Sequence, residues 1–271
     1  MKIQIVSDIH IDINKDHNFG FINHINNCDL TLIAGDIAGS YAEEEKFLDK
    51  LVKIAEKPVL CVGGNHLGYN YRYVDVIKGT KYWSLNYLSH KYNNGNVRYL
   101  NDDYFAIGDY IVFGGTMYSD FNLYGNIERS GKLAERGLND FIYVRVFDGE
   151  NIRKIKYTDY IEWFNLFINK LENCINHNQD KKFIVLTHFA PSSKSLDEKY
   201  VLFSQLNPAY ASDLEGFIQK YPQIKIWTHG HIHSGSDYKI GDCRVVCNPY
   251  GYAGYEQKLC ARKCLGKVVE V

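Results

Sequence analysis

The sequence predicts an α/β protein, a four-layer αββα sandwich of two mixed sheets flanked by helices. Three observations predict it. Short β-branched runs recur along the chain, an amphipathic helical stretch separates the second from the third, and further strands lie beyond a long helical segment. The 271 residues are 45% apolar and 23% charged, which excludes disorder over most of the length. No Pro/Ser/Gly tract, charge block or internal repeat divides them. Residues 1–271 therefore read as a single domain, with about 116–160 as a candidate cap or rim insertion.

The elements follow in order. Lys2-Ile3-Gln4-Ile5-Val6, Leu30-Thr31-Leu32-Ile33-Ala34 and Pro58-Val59-Leu60-Cys61-Val62 are β-branched strands without an internal breaker. Between the last two, Glu43 to Glu56 places Phe47, Leu48, Leu51, Val52 and Ile54 on one helical face. Tyr104–Ile107 and Tyr110–Phe113 flank Gly108-Asp109, a hairpin signal. Thr158 to Asn176 reads as a long helix with the stripe Ile161, Phe164, Phe167, Ile168, Leu171 and Ile175, capped by Thr158. Phe183–Leu186 and Ile224–Trp227 are buried strands. Ser212-Asp213-Leu214-Glu215 has the pattern of a capping box opening a short helix to about Tyr221. Two further hairpins are expected near Gly241-Asp242 and Gly266-Lys267.

Composition narrows the function. Lys and Arg total 31 and Asp and Glu 32, a net charge of −1, so nothing in the overall charge indicates nucleic acid as a partner. No apolar run approaches the roughly 18 residues of a membrane span, and the first apolar stretch reaches Asp8 too soon for a signal peptide. Seven cysteines, an odd number, argue against a fully paired disulfide framework. A cytoplasmic protein without a membrane partner is expected.

The chemistry gathers where strands end. Val6 is followed by Ser7-Asp8-Ile9-His10, Ala34 by Gly35-Asp36, and Val62 by Gly63-Gly64-Asn65-His66. Leu186 is followed by Thr187-His188, and Trp227 by Thr228-His229-Gly230-His231-Ile232-His233. In an α/β sheet the carboxyl edge of the strands is where ligands bind. Asp8 and His10, like His231 and His233, are two residues apart and share a face of an extended segment. Gly35, Gly64 and Gly230 each precede one of these residues and allow close backbone approach. Carboxylate, amide oxygen and imidazole without thiolate favour Mn, Fe, Zn or Ni over a structural zinc cage. Asp8, His10, Asp36, Asn65, His188, His231 and His233 are too many groups for one ion. Two divalent ions sharing a carboxylate would use them all, and such pairs serve displacement at phosphorus.

The string Asp8-x-His10, Gly35-Asp36, Gly64-Asn65-His66, His188 and Gly230-His231-x-His233 resembles the calcineurin-like metallophosphoesterase superfamily, with all five motifs in order. Gly114–Phe121, Leu138-Asn139-Asp140, Thr187–Pro191 and Cys247–Tyr252 look like a bacterial and phage branch of it. The resemblance implies that Asp8, His10 and His233 hold a first ion and that Asn65, His188 and His231 hold a second. It implies that Asp36 bridges the two, with manganese expected first. A hydroxide between the ions would attack phosphorus, and His66, holding no metal, would assist the leaving oxygen. The implied partner is a phosphate-ester small molecule or a nucleotide, with phosphodiesters foremost. A phosphomonoesterase, a nuclease on DNA or RNA and a non-enzymatic scaffold are the alternatives.

Departures from the pattern matter. An acid usually follows the histidine, but Leu67 stands there, so His66 needs another partner. Asp120 and Asp140 are candidates, with turn capping as the competing reading. Ile37-Ala38-Gly39-Ser40 follows Asp36 in place of the Asp-Arg-Gly of the phosphoprotein phosphatases, which counts against that specialisation. His229 reads as a buried, hydrogen-bonded histidine rather than an added ligand. Cys243 and Cys247, like Cys260 and Cys264, lie about 13 Å apart on an extended strand and read as buried thiols rather than a zinc site. Arg129, Lys132, Arg136 and Arg145 alternate with acids as a solvated face does, with a phosphate-binding rim as the rival reading. Tyr250, Tyr252 and Tyr255 follow the site and could stack on a base, although with 22 tyrosines in the chain chance placement is easy.

Overall fold

Strand β1 (Lys2–Val6) is buried from Ile3 onward because both faces of its sheet are covered. Ile3 and Ile5 face the space between two sheets, and Val6 faces a helix layer. The computed structural model describes residues 1–14, 19–69, 83–147, 151–197, 205–252 and 266–271. In it β1 pairs in parallel with β2 (Leu30–Ile33), then come β3 (Val59–Val62) and β4 (Val97–Leu100), all parallel.

The second sheet starts with an antiparallel hairpin, β5 (Asp103–Ile107) and β6 (Tyr110–Gly114). A small ribbon, β7 (Arg145–Phe147) with β8 (Ile152–Lys154), lies outside both sheets. Strands β9 (Lys182–Leu186), β10 (Ile224–His229), β11 (Ser236–Ile240) and β12 (Cys243–Cys247) complete the sheet in the order β11-β12-β10-β9-β6-β5. Its four central strands are parallel and its edges antiparallel. Strand β13 (Lys267–Glu270) returns to the first sheet, antiparallel to β1.

Four layers result, and the fold class is the one expected. Ile3, Ile5, Leu32 and Leu60 of one sheet meet Val112, Ile184, Ile226 and Val246 of the other. Outside the first sheet, α1 (Tyr41–Ile54) packs Phe47, Leu48 and Leu51 over Val6, Ile33 and Cys61. α2 (Trp83–Lys91) lies beside it and packs Leu88 into the same cluster. The segment 116–160 carries α3 (Ile127–Gly137) and α4 (Asn139–Tyr143). Outside the second sheet, α5 (Tyr157–His177) packs Phe164, Phe167, Leu171 and Ile175 against Phe113, Val185 and Trp227. Each such fully buried side chain contributes roughly 1.5–3 kcal/mol. The short α6 (Glu215–Lys220) precedes β10.

Two expected caps are corrected. The long helix starts at Tyr157, and its end is closed by Asp159, which accepts the Lys156 N–H at 2.7 Å. A carboxylate there accepts more strongly than the Thr158 hydroxyl would. Ser212 does not cap α6, whose N-cap is Leu214; the Ser212 hydroxyl instead accepts the Asp120 N–H at 3.3 Å. Among the described residues the strand after Gly266 finds its partner in β1, where a hairpin was expected.

Candidate metal centre

Parallel register brings the strand ends together. Val6 lies opposite Ile33 and Ile33 opposite Cys61, while Gly114 lies opposite Leu186 and Leu186 opposite Thr228. Backbone bonds then join the emerging loops. Asp8 N–H donates to Gly35 O at 3.1 Å, His10 N–H to Asp36 O at 3.0 Å, and Gly230 N–H to His188 O at 3.0 Å. The two sheets are stitched at this edge by Ser7, whose N–H donates to Asn248 O at 3.1 Å and whose carbonyl accepts from Tyr250 N–H at 2.8 Å.

The loops turn sharply at the residues that carry the chemistry. Asp8, His10, Asp36 and His231 all have φ between 46° and 63°, the left-handed region that non-glycine residues seldom occupy. Such strain gathers at functional sites. The glycines provide the close approach the sequence suggested. A Cβ on Gly64 would collide with the Asp36 carboxylate, and one on Gly230 would lie 2.8 Å from Asp8 Oδ2. Gly35 does need its φ of +84°, and a Cβ there would collide with the His188 ring.

The seven expected ligands meet at one place, with Asp36 at its middle. Asp36 Oδ2 is 3.3 Å from His188 Nε2, 3.8 Å from His10 Nε2 and 3.9 Å from His66 Nε2. His10 Nε2 is 3.2 Å from His233 Nε2, which is 3.4 Å from Asp8 Oδ1. His188 Nε2 is 3.0 Å from Asn65 Oδ1. Among the described residues, three groups have the spacing to hold a cation: Asp8, His10 and His233; His10, Asp36 and His66; and Asp8, Asp36 and His188. His231 adjoins them rather than joining a group. Its N–H donates to Asp8 Oδ1 at 3.0 Å, and its ring is stacked between Phe189 and Tyr210, 5.1 Å from the His188 ring.

The donor chemistry fits divalent ions. His188 Nδ1–H donates to Ala34 O at 2.9 Å, which leaves the neutral ring's lone pair on Nε2. Asn65 Nδ2 donates to Asp140 Oδ1 at 2.8 Å, which turns Asn65 Oδ1 toward His188. With His188 neutral, three acceptors, His188 Nε2, Asn65 Oδ1 and Asp36 Oδ2, converge with no hydrogen among them, an arrangement that a cation reconciles.

A proton on His188 Nε2 would serve the same acceptors. Burial would lower the His188 pKa, but the charge and hydrogen bond of Asp36, with Asp8 and the Ala34 carbonyl, outweigh it and hold it at about 9. Burial opposes ionisation of Asp36 too, yet His188, His66 and His10 keep it well below the usual carboxylate range. Burial likewise opposes ionised Asp8, and the hydrogen bond and charge of His233 bring it below normal. Burial keeps His10 neutral, lowering it to about 3.

His66 lies beside this centre with its N–H on Asp36 Oδ1 at 3.1 Å. The partner it needed is not a single acid. Its ring stacks on Tyr69 at 4.3 Å, and its Nε2 is 3.2 Å from the Tyr252 hydroxyl. Tyr252 also packs 4.7 Å from both His10 and His233. Asp140 touches Asn65, Tyr69 and Tyr160. Asp120 caps a turn, accepting the Asn122 N–H at 3.1 Å. The sequence reading missed Tyr69 and Tyr160 altogether. Tyr69 lies four residues after Asn65, a spacing that carries no motif.

The remaining readings sort plainly. His229 is buried, with Nε2 2.7 Å from the Ser195 hydroxyl and Nδ1 2.8 Å from Gly230 O, as a structural histidine would be; burial lowers its pKa to about 4. Cys243 and Cys247 are buried thiols, as expected, while Cys260, Cys264 and Tyr255 lie outside the described residues. Tyr250 is buried against Phe19. Lys132 pairs with Glu128 on the exposed face of α3, and Arg145 caps carbonyls of Ile142 and Val144. Arg129 and Arg136 are exposed.

The profile of the calcineurin-like phosphoesterase family matches residues 1–235. The chain belongs to that family. It is thereby a phosphoesterase-family hydrolase, and the family uses divalent metal ions and acts on phosphate esters. Among solved structures it is similar to phosphopantetheinyl hydrolase from Mycobacterium tuberculosis, with a TM-score of 0.71 and 15% identity, covering 100% of this chain and 95% of that one. It is also similar to the protein TT1561 of Thermus thermophilus, with a TM-score of 0.54 and 14% identity, covering 92% and 88%. These likenesses share the fold. No curated protein sequence matches the chain.

Proposed function

We propose that this family member is a dinuclear metal-dependent phosphodiesterase acting on small phosphodiesters or nucleotide-like phosphates. The observation that carries the reading is the convergence of acceptor atoms around Asp36 Oδ2, with His188 Nε2 at 3.3 Å and His10 Nε2 at 3.8 Å. Asp8, His10 and His233 would hold one ion, Asn65, His188 and His231 the other, and Asp36 both. Manganese is the first candidate, with iron, zinc or nickel able to use the same donors. Bound ions supply charge against the phosphate oxygens and an acidified water as nucleophile.

The chain's own residues do the rest. His66 Nε2 faces the centre and is placed to give its proton to the leaving oxygen. Tyr69 stacked on the ring fixes its plane, and the Tyr252 hydroxyl lies 3.2 Å from the same Nε2. Leaving groups too basic to depart as anions would depend on this proton. Ser7 donates to Asp8 and keeps that carboxylate from turning.

The described cysteines, mostly buried and in no disulfide, fit a reducing compartment such as the cytoplasm. No helix among the described residues is long and apolar enough to cross a membrane.

The test is hydrolysis of bis-p-nitrophenyl phosphate against p-nitrophenyl phosphate by metal-stripped protein, with Mn, Fe(II), Zn, Ni or Mg added back singly. Metal-dependent turnover of the diester is expected, lost in Asp36→Asn. Turnover of the monoester alone would replace the proposal with a phosphatase. A phosphopantetheinyl diester, after the name of the mycobacterial relative, belongs among the follow-up substrates.

A further inference from the structure

Asp140 is a buried carboxylate beside the centre that comes from neither sheet edge. It stands on α4 in the 116–160 segment, 4% exposed, and collects three hydrogen bonds. Asn65 Nδ2 donates to its Oδ1 at 2.8 Å, the Tyr69 hydroxyl donates to the same oxygen, and the Tyr160 hydroxyl donates to Oδ2 at 3.0 Å. Two of these three donors adjoin the candidate site directly. Asn65 presents its oxygen to His188, and Tyr69 stacks on His66.

An amide side chain has two nearly isosteric ends, and only its hydrogen bonds decide which one faces a cation. Asn65 has one such choice to make. If its NH2 end faced His188 Nε2 and Asp36, it would repel an ion. The NH2 end is taken by Asp140 Oδ1 at 2.8 Å and by the Tyr69 hydroxyl, itself anchored on Asp140, at 3.2 Å, and the oxygen is turned inward. A carboxylate can do this because it offers no donor of its own. The same oxygen anchors the Tyr69 hydroxyl and so fixes the ring against which His66 lies.

We propose that Asp140 is a positioning residue that orients the Asn65 amide for the second ion and, through Tyr69, the plane of His66. This rests on the dinuclear reading of the site. It makes the 116–160 segment part of the centre's support, in place of the acid that Leu67 displaces after His66.

The experiment is Mn(II) binding to metal-stripped protein, by titration calorimetry and by metal content after equilibrium dialysis. Four proteins are compared: wild type, Asp140→Asn, Asn65→Asp and the double variant. Wild type is expected to bind two ions. Asp140→Asn should weaken the second by about 10- to 100-fold, the usual effect of losing a partner behind a metal ligand, and leave the first unchanged. Asn65→Asp should also weaken the second, although a carboxylate is a good ligand, because it would face Asp140 as a like charge. The double variant exchanges acceptor and donor, restores the bond in reverse and should recover the second ion. A merely structural role would give no such reciprocal rescue.

If Asp140→Asn fails to fold, Asn65→Asp and the double variant still decide. Wild-type affinity for both ions in Asp140→Asn, or a double variant no better than Asn65→Asp, would overturn the inference. Wild type that binds two ions yet hydrolyses no ester would overturn only the proposed function. Wild type that binds fewer than two would overturn both.

Discussion

Asp8 and His10 are placed chiefly from the backbone, whereas Asn65 and His188 are placed by groups behind their side chains. In the first set, Asp8 and His10 have left-handed φ angles, and Asp8 accepts the N–H of His231. His10 Nδ1 has no hydrogen-bond partner among the described residues. In the second set, Ala34 O fixes the His188 ring and Asp140 fixes the Asn65 amide. The difference teaches where each half is vulnerable. The first half should yield to changes that move the chain, the second to changes that remove a distant acceptor.

Asp36→Asn breaks both halves at once, since Asp36 lies between them. It should abolish binding of both ions and lower kcat/KM by more than about 10³-fold, beyond the loss of one preorganised donor. Metal content and diester hydrolysis measured on the same preparation check this. His66→Ala belongs to neither half. Both ions should stay bound while kcat falls about 10²- to 10⁴-fold. The loss should be steepest for esters with poor leaving groups, which a series of substituted phenyl diesters would read.

Two glycines probe the halves. Gly35→Ala collides with the His188 ring and should weaken the second ion alone, whereas Gly230→Ala meets Ala34 O at 2.5 Å and Asp8 Oδ2 at 2.8 Å and should weaken both. Two-site Mn(II) titrations of the two variants check this, and a Gly35→Ala protein that loses the first ion would dissolve the distinction. Tyr252→Phe removes one hydrogen bond to His66, worth about 1 kcal/mol, and should slow turnover roughly fivefold without loss of metal.

A different effect, on stability rather than turnover, lies just outside the centre. Glu44 on α1 is buried, and its Oε1 has no hydrogen-bond partner among the described residues. Burial chiefly, with the charge of Asp36, pushes its pKa up to about 8 against a relieving contact from Tyr99. Between its ordinary value and about 8 the folded protein keeps a proton that the unfolded chain has lost. This contribution to stability is therefore full at low pH and falls as pH rises through that window. Glu44→Gln cannot titrate, so its melting temperature relative to wild type should climb from pH 5 to pH 8 and then level off. A constant difference across that range would refute the assignment.

The ligand-bearing edge was legible in the sequence because its signals are local. Each strand ends in its own short motif, and a parallel sheet brings such ends together whatever lies between them. The long helix was legible for a similar reason, as Phe164, Phe167, Leu171 and Ile175 repeat at helical spacing. Support from a distance was not legible. Tyr69 and Tyr160 are two among 22 tyrosines, and nothing local marks the ones that reach Asp140. Asp120 and Asp140 looked alike as candidates, and only the packing of α4 beside the site separates them. The caps failed because side chains competed. Asp159 outcompeted Thr158, and Ser212 was engaged by the Asp120 backbone.

The decisive experiment is a crystal of the protein grown or soaked with manganese, with anomalous differences recorded at the manganese edge. Two peaks about 3.5–4 Å apart are expected, one on each side of the Asp36 carboxylate, the first by Asp8, His10 and His233 and the second by Asn65 and His188. A single peak, or peaks away from Asp36, would contradict the two-ion centre.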